Sequence, residues 1–376
     1  FGGAGGLALG VSLAGFDHLA LIDSDKWACE TIRENQRRGH ALAKKWPLHE
    51  IDVRKFDYST ITKDTDLLSA GLPCQPFSFA GKGKAHKDKR DMFSEVVRAA
   101  RELRPKAILI ENVRGLVRSA FKDYLDYLLL AIASPGLARD PHETWQSHFD
   151  LLRRDNKTND LKYDVHVHTV NAADYGVPQW RDRVLIVAFR SDLGIKWSLP
   201  TGTHSVDALL WAQIQSGEYW KSHRLDRIRP GKMSQRIASR AKSIWEAERK
   251  ADALMPWRTV RDAISDLPKL RQGQKEDKIL NHFINRGARS YTGHDGSFID
   301  EPSKTLKAGS HGVPGGENSL HLGSGRIRYF SVRECARLQT FPDDYFIAGP
   351  WTRAMRQIGN AVPVLLAKTV AERIKQ

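Results

Sequence analysis

Cysteine is scarce in this sequence: Cys29, Cys74 and Cys335 are the three in 376 residues, and their spacing follows no pattern. Three unpatterned cysteines cannot build the disulfide framework of a small secreted protein. The sequence also lacks an apolar leader with basic flanks, and no run of about eighteen apolar residues could form a membrane-spanning helix. We therefore expect a cytoplasmic protein with reduced thiols and no membrane segment.

Acidic residues are in the minority, with 44 aspartates and glutamates against 59 lysines and arginines, and the formal net charge is +15. This excess favours a polyanionic partner, because lysine and arginine that neutralise phosphates drive association with nucleic acids. A basic, solvated surface without such a partner is the alternative. The length permits one large domain or two ordinary ones.

Apolar and helical segments alternate in the first half of the sequence. Residues 67–71, 107–113 and 183–189 have strand character, and EVVRAARELR (95–104) has helical spacing. This alternation predicts an α/β fold with a doubly wound sheet. The polar stretch at 134–162 is predicted to be a surface insertion within it.

The character of the sequence changes after about residue 190. A basic, tryptophan-containing part is followed by one rich in Gly, Ser, His and Pro, and α/β character returns near residue 331. We predict a first domain at 1–190 with the candidate catalytic and cofactor residues. A smaller irregular domain at 191–330 follows, and a C-terminal segment at 331–376 returns to the first domain.

The sequence opens on a glycine-rich turn, FGGAGG (1–6), which leads into a predicted helix and then an apolar run ending at Asp23. Glycines at a helix start let a ligand approach the backbone, where N–H groups can bind a carboxylate or phosphate. An acid after the next strand can accept hydrogen bonds from ribose hydroxyls. Together they suggest a cofactor that contains a nucleoside; a tight turn chosen for packing is the alternative for the glycines.

Two reactive groups follow predicted strands. Cys74 comes directly after Pro73, at the edge where open α/β sheets place their reactive groups, and Glu111 follows the strand AILI. A thiol and a carboxyl group at neighbouring strand ends could share one crevice. A buried structural cysteine and a capping or salt-bridged glutamate are the alternatives.

Gln179, Arg181 and Arg183 alternate along the start of the segment RVLIVAF. A period of two places all three on one face of a strand, where guanidinium groups could hold phosphate or the edge of a planar base. An exposed, salt-bridged strand edge is the alternative. We predict no metal site.

These stretches resemble the DNA cytosine-5 methyltransferases of bacteria and phages. The resemblance implies an S-adenosylmethionine-dependent, Rossmann-like methyltransferase sheet with a smaller, irregular target-recognition domain. The matching pieces occur in that family's order and span nearly the whole chain outside the middle domain: FGGAGG (1–6), Asp23 with DKWACETIRENQ (25–36), Asp52-Val53, GLPCQPFSFAGK (71–82), ENVRGL (111–116), NAADYGVPQWRDR (171–183), SVRECARLQTFPDD (331–344) and QIGNAVP (357–363).

The resemblance implies a reaction through a covalent adduct. C5 of cytosine is a poor nucleophile, so the Cys74 thiolate would add to C6 and make C5 reactive toward the methyl group of S-adenosylmethionine. Glu111 would protonate or hydrogen-bond N3. Arg183 would hold the cytosine carbonyl, and Arg181 would be its companion toward phosphate.

The cofactor residues are likewise implied by the resemblance. Phe1 would lie against the adenine, the glycine turn near the methionine end, and Asp23 at the ribose hydroxyls. The full set of implied cofactor residues is Phe1, Gly3, Gly5, Gly6, Asp23, Ser24, Asp52, Val53, Gly71, Pro73 and Asn360.

A duplex DNA substrate is implied as well, with the target cytosine flipped out of the stack. The loop after Cys74 would close over DNA through glycines and lysines that reach phosphates. The segment EPSKTLKAG (301–309) resembles the family's recognition segment near the flipped base. The implied DNA contacts are Gln75, Ser78, Lys82, Lys84, Arg90, Gln179, Thr305 and Leu306.

The sequence departs from the family pattern at two places. The strand that normally precedes FGGAGG is absent, and the first residue is Phe, so we expect the sequence to begin inside a longer reading frame. Ser24 stands where the family often has a bulkier apolar side chain against the adenine. Part of the adenine packing is therefore not accounted for.

The leading hypothesis is a monomeric, site-specific DNA cytosine-5 methyltransferase of a restriction-modification or phage system, with a cognate restriction endonuclease as a candidate partner. An RNA substrate is a second hypothesis, which the long middle domain disfavours. A catalytically silent homologue is a third, which the intact Cys74, Glu111 and QxRxR triplet disfavour. A nicotinamide oxidoreductase would explain only FGGAGG and Asp23.

Overall fold

The computed structural model describes residues 1–73, 92–140, 142–154, 160–225, 233–247, 253–290, 294–308 and 318–376. Strands and helices alternate in the first half of these residues, as the sequence predicts. The strands are β1 (Leu21–Asp23), β2 (Leu48–Glu50), β3 (Leu67–Gly71), β4 (Ala107–Val113), β5 (Tyr163–Asn171), β6 (Asp182–Arg190), β7 (His204–Ser205), β8 (Met255–Pro256), β9 (Ser319–His321) and β10 (Ile327–Tyr329).

The helices begin in the glycine turn and end near the C-terminus. None of those described is both long and apolar enough to cross a membrane. They are α1 (Gly6–Leu13), α2 (Lys26–Arg37), α3 (Phe93–Leu103), α4 (Lys122–Ala133), α5 (Trp145–Arg154), α6 (Val206–Ile214), α7 (Glu218–Ser222), α8 (Gln235–Ala247), α9 (Val260–Ile264), α10 (Val332–Leu338), α11 (Trp351–Asn360) and α12 (Val364–Lys375).

The main sheet has four strands in the order β3-β4-β6-β5, with β3 parallel to β4 and β6 antiparallel to both of its neighbours. In β4 only the last residue, Val113, is more than marginally accessible, as expected for a central strand covered on both faces. The register pairs Gly71 with Glu111 and Val113 with Arg183. The ends of three strands therefore bring a backbone turn, a carboxyl group and a guanidinium group to one edge of the sheet.

A second, two-stranded parallel sheet is formed by β1 and β2. A groove of about 1000 Å³ lies between β1 and β3, with apolar walls that include Leu7, Val11 and Leu68. The described residues thus contain an interrupted sheet rather than one continuous layer. The expectation of a further strand ahead of FGGAGG stays untested.

Helix α1 packs tightly on α12 because two of its residues lack a side chain. A Cβ at Gly6 would lie 2.3 Å from the carbonyl oxygen of Val362, and one at Gly10 would lie 2.4 Å from the Cβ of Ala367. Contacts this short are not tolerated between real side chains. The two glycines therefore permit the close approach of the C-terminal helix to the start of the fold.

The predicted surface insertion at 134–162 contains a helix with a buried face. Phe149 and Leu152 of α5 lie in the same hydrophobic core as Leu128 of α4 and Ile110 of β4. The indole of Trp145 makes an edge contact with Tyr124, with ring centroids 5.3 Å apart. The polar composition of this stretch hid an amphipathic pattern, and packing against α4 determines its conformation.

The middle of the chain is built of short elements, β7 to β10 and α6 to α9. An aromatic cluster forms one core there, and the rings of Trp180 and Trp257 meet edge to face at 4.8 Å. Val260 and Ile264 of α9 instead share a core with Leu9 and Phe341. The division into domains at residues 190 and 330 remains a prediction.

Candidate active site and cofactor cleft

A cleft of about 410 Å³ lies at the edge where β1, β3 and β4 end. Its walls come from the glycine turn, the residues after β1 and β3, the end of β4, the start of β6 and the end of α11. This volume lies within the range of small-molecule sites. The cleft therefore joins residues from both ends of the chain in one concave site.

Glu111 and Arg183 form a buried ion pair in this cleft. Arg183 Nε lies 2.6 Å from Glu111 Oε1, at an angle outside the range of a hydrogen bond, and its Nη1 donates to the carbonyl oxygen of Asp182 at 2.7 Å. The residues are 6% and 7% exposed, respectively. The ion pair holds both side chains at the edge of the cleft. The pair can present an acid and a planar hydrogen-bond donor to one flat substrate.

Asn112 is a polar neighbour of this pair that the sequence reasoning passed over. Its Oδ1 accepts a hydrogen bond from Val113 N at 2.8 Å, while its buried Nδ2 has no hydrogen-bond partner among the described residues. It also lines the cleft. A buried donor without a partner costs free energy, so this amide is available to a ligand in the cleft.

The candidate nucleophile follows the wall of the cleft. Pro73 lines it, and Cys74 comes next in the sequence but lies outside the described residues. The other two cysteines are buried. Burial raises the pKa of the Cys29 thiol to about 12 and that of Cys335 well above its usual range. Neither is suited to act as a thiolate near neutral pH.

Two glycines of the turn differ in their surroundings. Gly3 has φ of +52°, and a Cβ there would meet nothing within 4 Å, while its N–H donates to Asp23 Oδ2 at 2.7 Å. Gly5 has φ of +86°, and a Cβ there would lie 2.5 Å from the hydroxyl of Tyr345. Gly3 borders the cleft, whereas Gly5 serves packing and does not line it.

The acids that the sequence assigned to the cofactor stand in this cleft. Asp23 accepts hydrogen bonds from Gly3 N and from Asp25 N, which fixes its carboxylate at the end of β1. Asp52 is bound by the Arg54 side chain and backbone N–H, and these bonds lower the pKa of Asp52 to about 2. Of the eleven residues implied for the cofactor, ten border the cleft: Phe1, Gly3, Gly6, Asp23, Ser24, Asp52, Val53, Gly71, Pro73 and Asn360.

Two arginines of α11 were missed by the sequence reasoning. Arg353 and Arg356 are exposed and line the cleft about two turns and one turn, respectively, before Asn360. No acidic partner is found for either of them in the part of the chain that the structure describes. Their spacing of three in the helix that leads into QIGNAVP was the available signal, because residues at i and i+3 share a helix face.

The predicted DNA contacts divide into three groups. Gln75, Ser78, Lys82, Lys84 and Arg90 lie outside the described residues. Thr305 is half-buried, and its hydroxyl donates to the carbonyl oxygen of Trp180 at 2.6 Å. Gln179 and Leu306 are 0% and 2% exposed and hydrogen-bond to one another, so neither has the free surface that the sequence suggested.

Arg181 differs most from its expected place. Its guanidinium is 1% exposed and donates to the carbonyl oxygens of Gly359 and Ala361 at 2.8 and 3.0 Å. It also donates to Leu306 O and Gln179 Oε1, both at 3.2 Å. These hydrogen bonds give Arg181 a structural role at the wall of the cleft, and its contact with phosphate stays a prediction.

A comparison with known protein families identifies the family of this chain. The family model described as C-5 cytosine-specific DNA methylase matches residues 1–137 and 150–376. The chain belongs to this family. The unmatched residues, 138–149, fall within the stretch predicted to be an insertion.

Curated relatives and solved structures agree with the family over the full length. The chain is 32% identical to the type II methyltransferase M.Eco47II of Escherichia coli, with 100% of this chain and 77% of the relative covered. It is 32% identical to M.NgoMIV of Neisseria gonorrhoeae, covering 99% and 94%. The structure of a candidate DNA modification methyltransferase from an E. coli prophage has a TM-score of 0.61 at 19% identity, covering 100% and 97%.

The protein is therefore a DNA cytosine-5 methyltransferase with an α/β fold, and its family uses S-adenosylmethionine as methyl donor. The residues present fit that cofactor. Asp23 stands where a ribose would need an acid, Gly3 leaves the backbone open to a ligand, and Ile22 and Val53 supply apolar wall. The fold, activity and cofactor predicted from the sequence are confirmed, and the oxidoreductase hypothesis is wrong.

Proposed function

We propose that the cleft carries out methylation through Cys74, Glu111 and Arg183, acting on a cytosine flipped out of a specific site in duplex DNA. The observation that carries this proposal is the Glu111–Arg183 ion pair, at the same sheet edge as Gly71 and the wall residue Pro73. The pair supplies an acid and a planar cation at the sheet edge where Pro73 lies, and the candidate nucleophile Cys74 is the next residue in the sequence.

In this proposal the Cys74 thiolate attacks C6 of cytosine, and the C5–C6 double bond opens toward C5. Negative charge that develops on the ring is neutralised at N3 by a proton or hydrogen bond from Glu111. Arg183 donates to the carbonyl oxygen at C2 and holds the ring in place. S-adenosylmethionine held in the cleft would supply an electrophilic methyl group to C5 and, as its S–CH3 bond breaks, would leave as S-adenosylhomocysteine. Loss of the C5 proton to a base then restores the double bond and releases Cys74 as a thiolate.

The test is methyl transfer by the Cys74→Ala variant. We expect no measurable transfer of labelled methyl groups to duplex DNA, because no other described cysteine can supply a thiolate. Cys29→Ala is the matched control, since it removes a thiol of raised pKa that lies outside the proposed chemistry. Full activity of Cys74→Ala, with the control also active, would refute the proposed nucleophile.

The site read in DNA and the partners of the enzyme belong to the same proposal. We propose a monomeric, cytoplasmic enzyme of a restriction-modification or phage system, supported by the similarity to type II methyltransferases over the whole chain. Expression in a host without cytosine methylation, followed by genome-wide mapping of 5-methylcytosine, would identify the site. Methylation scattered over all cytosines would contradict site specificity.

An RNA substrate is the competing proposal. The long middle region, residues 191–330, disfavours it because a base-recognition region of this size suits duplex DNA. A direct comparison of labelled methyl transfer to duplex DNA and to tRNA distinguishes the two. Preferential transfer to tRNA would overturn the DNA proposal.

A further inference from the structure

Arg181 lies at the wall of the cleft, where three segments of the chain meet. One is the start of β6, which carries Arg183. Another is the end of α11, which carries Asn360 at the cleft. The third is residues 303–308, in the part of the chain that resembles a DNA-recognition segment. A guanidinium group with five N–H donors can join several acceptors at once, which a lysine cannot do with the same geometry.

The segment 303–308 is tied to the residues before β6 by backbone and side-chain bonds. Trp180 N donates to Ser303 O at 2.8 Å, and Ser303 N donates to Pro178 O at 3.0 Å. Gln179 Oε1 accepts from Leu306 N at 3.1 Å and from Arg181 Nη1 at 3.2 Å. The segment therefore cannot shift along β6 without breaking a set of buried hydrogen bonds.

The same segment is packed on the end of α11. A Cβ added at Gly359 would lie 2.4 Å from Ala308 N, so the two backbones are in direct contact. Arg181 Nη2 donates to Gly359 O and Ala361 O, the carbonyls on either side of Asn360, while Nη1 donates to Leu306 O. The Arg181 side chain thus links the end of α11, next to the proposed cofactor residue Asn360, to residues 303–308 of the proposed recognition segment.

We propose that Arg181 is a positioning residue that couples cofactor binding to DNA binding through these three carbonyls. The inference rests on the proposed DNA and cofactor sites. A ligand that orders Asn360 fixes Gly359 and Ala361, and through Arg181 it fixes Leu306 next to the proposed base-recognition surface. Coupling of this kind is reciprocal, so each ligand must tighten the other by the same factor.

The experiment measures DNA affinity with and without S-adenosylhomocysteine, an unreactive cofactor analogue, by fluorescence anisotropy on a duplex that carries the mapped site. We expect the analogue to tighten DNA binding by a factor between about 5 and 150 in the wild type. We expect this factor to fall below about two in Arg181→Lys. Calorimetry of the analogue with and without DNA should give the same factors.

Arg333→Lys is the matched control. Arg333 is also fully buried and donates to three carbonyl oxygens, those of Leu280, Pro342 and Tyr345, but it contacts neither Asn360's neighbours nor residues 303–308. We expect its thermal stability to fall while the coupling factor stays at the wild-type value. A general loss of stability therefore cannot imitate the proposed effect.

Gln179→Met provides a second variant if Arg181→Lys does not fold, because it keeps the side-chain volume and removes the acceptor shared by Leu306 N and Arg181. Its coupling factor should also fall. A wild-type factor of one, an unchanged factor in the folded variants at Arg181 or Gln179, or an equal loss in Arg333→Lys would overturn the inference. Failure of the wild type to bind DNA or the analogue would instead overturn the proposed function.

Discussion

The ion pair in the cleft and the junction at its wall use arginine in opposite ways. Arg183 faces the cleft, where its charge meets Glu111 and both groups can turn toward a substrate. Arg181, two residues earlier, donates to four uncharged oxygen atoms of the protein and is 1% exposed. Proximity in sequence does not give the two guanidinium groups one function, because different chain segments cover them.

This difference shows the limit of predicting side-chain exposure from the alternation of residues along a strand. The period of two predicts that Gln179, Arg181 and Arg183 share a face, but it does not say what lies over that face. Residues 303–308 and 359–361 bind the Arg181 side chain, and the cleft is lined by both Arg181 and Arg183. A buried cation can be satisfied by carbonyl oxygens, and here it joins segments more than a hundred residues apart.

Among variants of the described residues, loss of the cleft acid should produce the largest effect. In Glu111→Gln we expect the rate of methyl transfer at saturating DNA and cofactor to fall by about 10²–10⁴-fold, because an amide cannot donate a proton to N3. Cofactor affinity measured by calorimetry should change little. A rate within about threefold of wild type would remove Glu111 from the proposed chemistry.

A matched control for this change is Glu334→Gln. Glu334 is also buried and paired with an arginine, Arg328, at 2.7 Å, but it lies in α10 and caps that helix rather than facing the cleft. Its replacement should reduce thermal stability and leave the saturated rate close to wild type. Equal rate losses in both variants would indicate a general effect of weakening a buried carboxylate.

Exchanging each arginine for methionine should separate the two regions. Arg181→Met leaves buried carbonyl oxygens without a donor, and at about 1–3 kcal/mol for each such group we expect a loss of about 3 kcal/mol or more in the free energy of unfolding. Arg183→Met should cost less stability, because among the described residues Arg183 donates to one carbonyl oxygen and Arg181 to three, but it should cost more activity. Chemical denaturation and single-turnover methylation measure the two quantities.

The proposed difference between the two arginines would be wrong if the two methionine variants ranked the other way in unfolding free energy or in single-turnover rate. An Arg183→Met variant that is less stable than Arg181→Met would mean that the cleft pair is the main structural element. An Arg181→Met variant that folds fully but loses the larger share of its single-turnover rate would return Arg181 to the catalytic group.

The smallest effect concerns the cations at the rim of the cleft. Arg356 is exposed and has no acidic partner within the described ranges, while S-adenosylmethionine carries one carboxylate. We expect Arg356→Gln to weaken cofactor binding by about tenfold, the size of one charge-assisted hydrogen bond at a partly exposed site. Calorimetry with the cofactor and with its decarboxylated analogue provides the measurement and the control. An equal loss for both ligands would exclude a contact to the carboxylate.

Much of the cleft could be predicted from the sequence because its residues lie at strand ends and in turns with strong local signals. Asp23, Glu111 and Pro73 each follow an apolar run, and parallel strands bring such positions to one edge. Gly5 could not be separated from Gly3 in this way, since its role depends on the Tyr345 side chain, 340 residues away. Arg353 and Arg356 were missed because the sequence of a helix does not show which part of the fold its polar face borders.

By itself, the sequence determined the family and the α/β pattern, because ordered motifs and apolar periodicity are local properties of the chain, and it predicts the chemistry proposed for the cleft. Only the tertiary structure decided which polar groups face a ligand and which are consumed inside the protein. Gln179, Arg181 and Leu306 look like surface residues in the sequence and are buried in the fold. Their burial depends on contacts among residues 179–181, 303–308 and 359–361, and long-range packing of this kind leaves no periodic signal in the sequence.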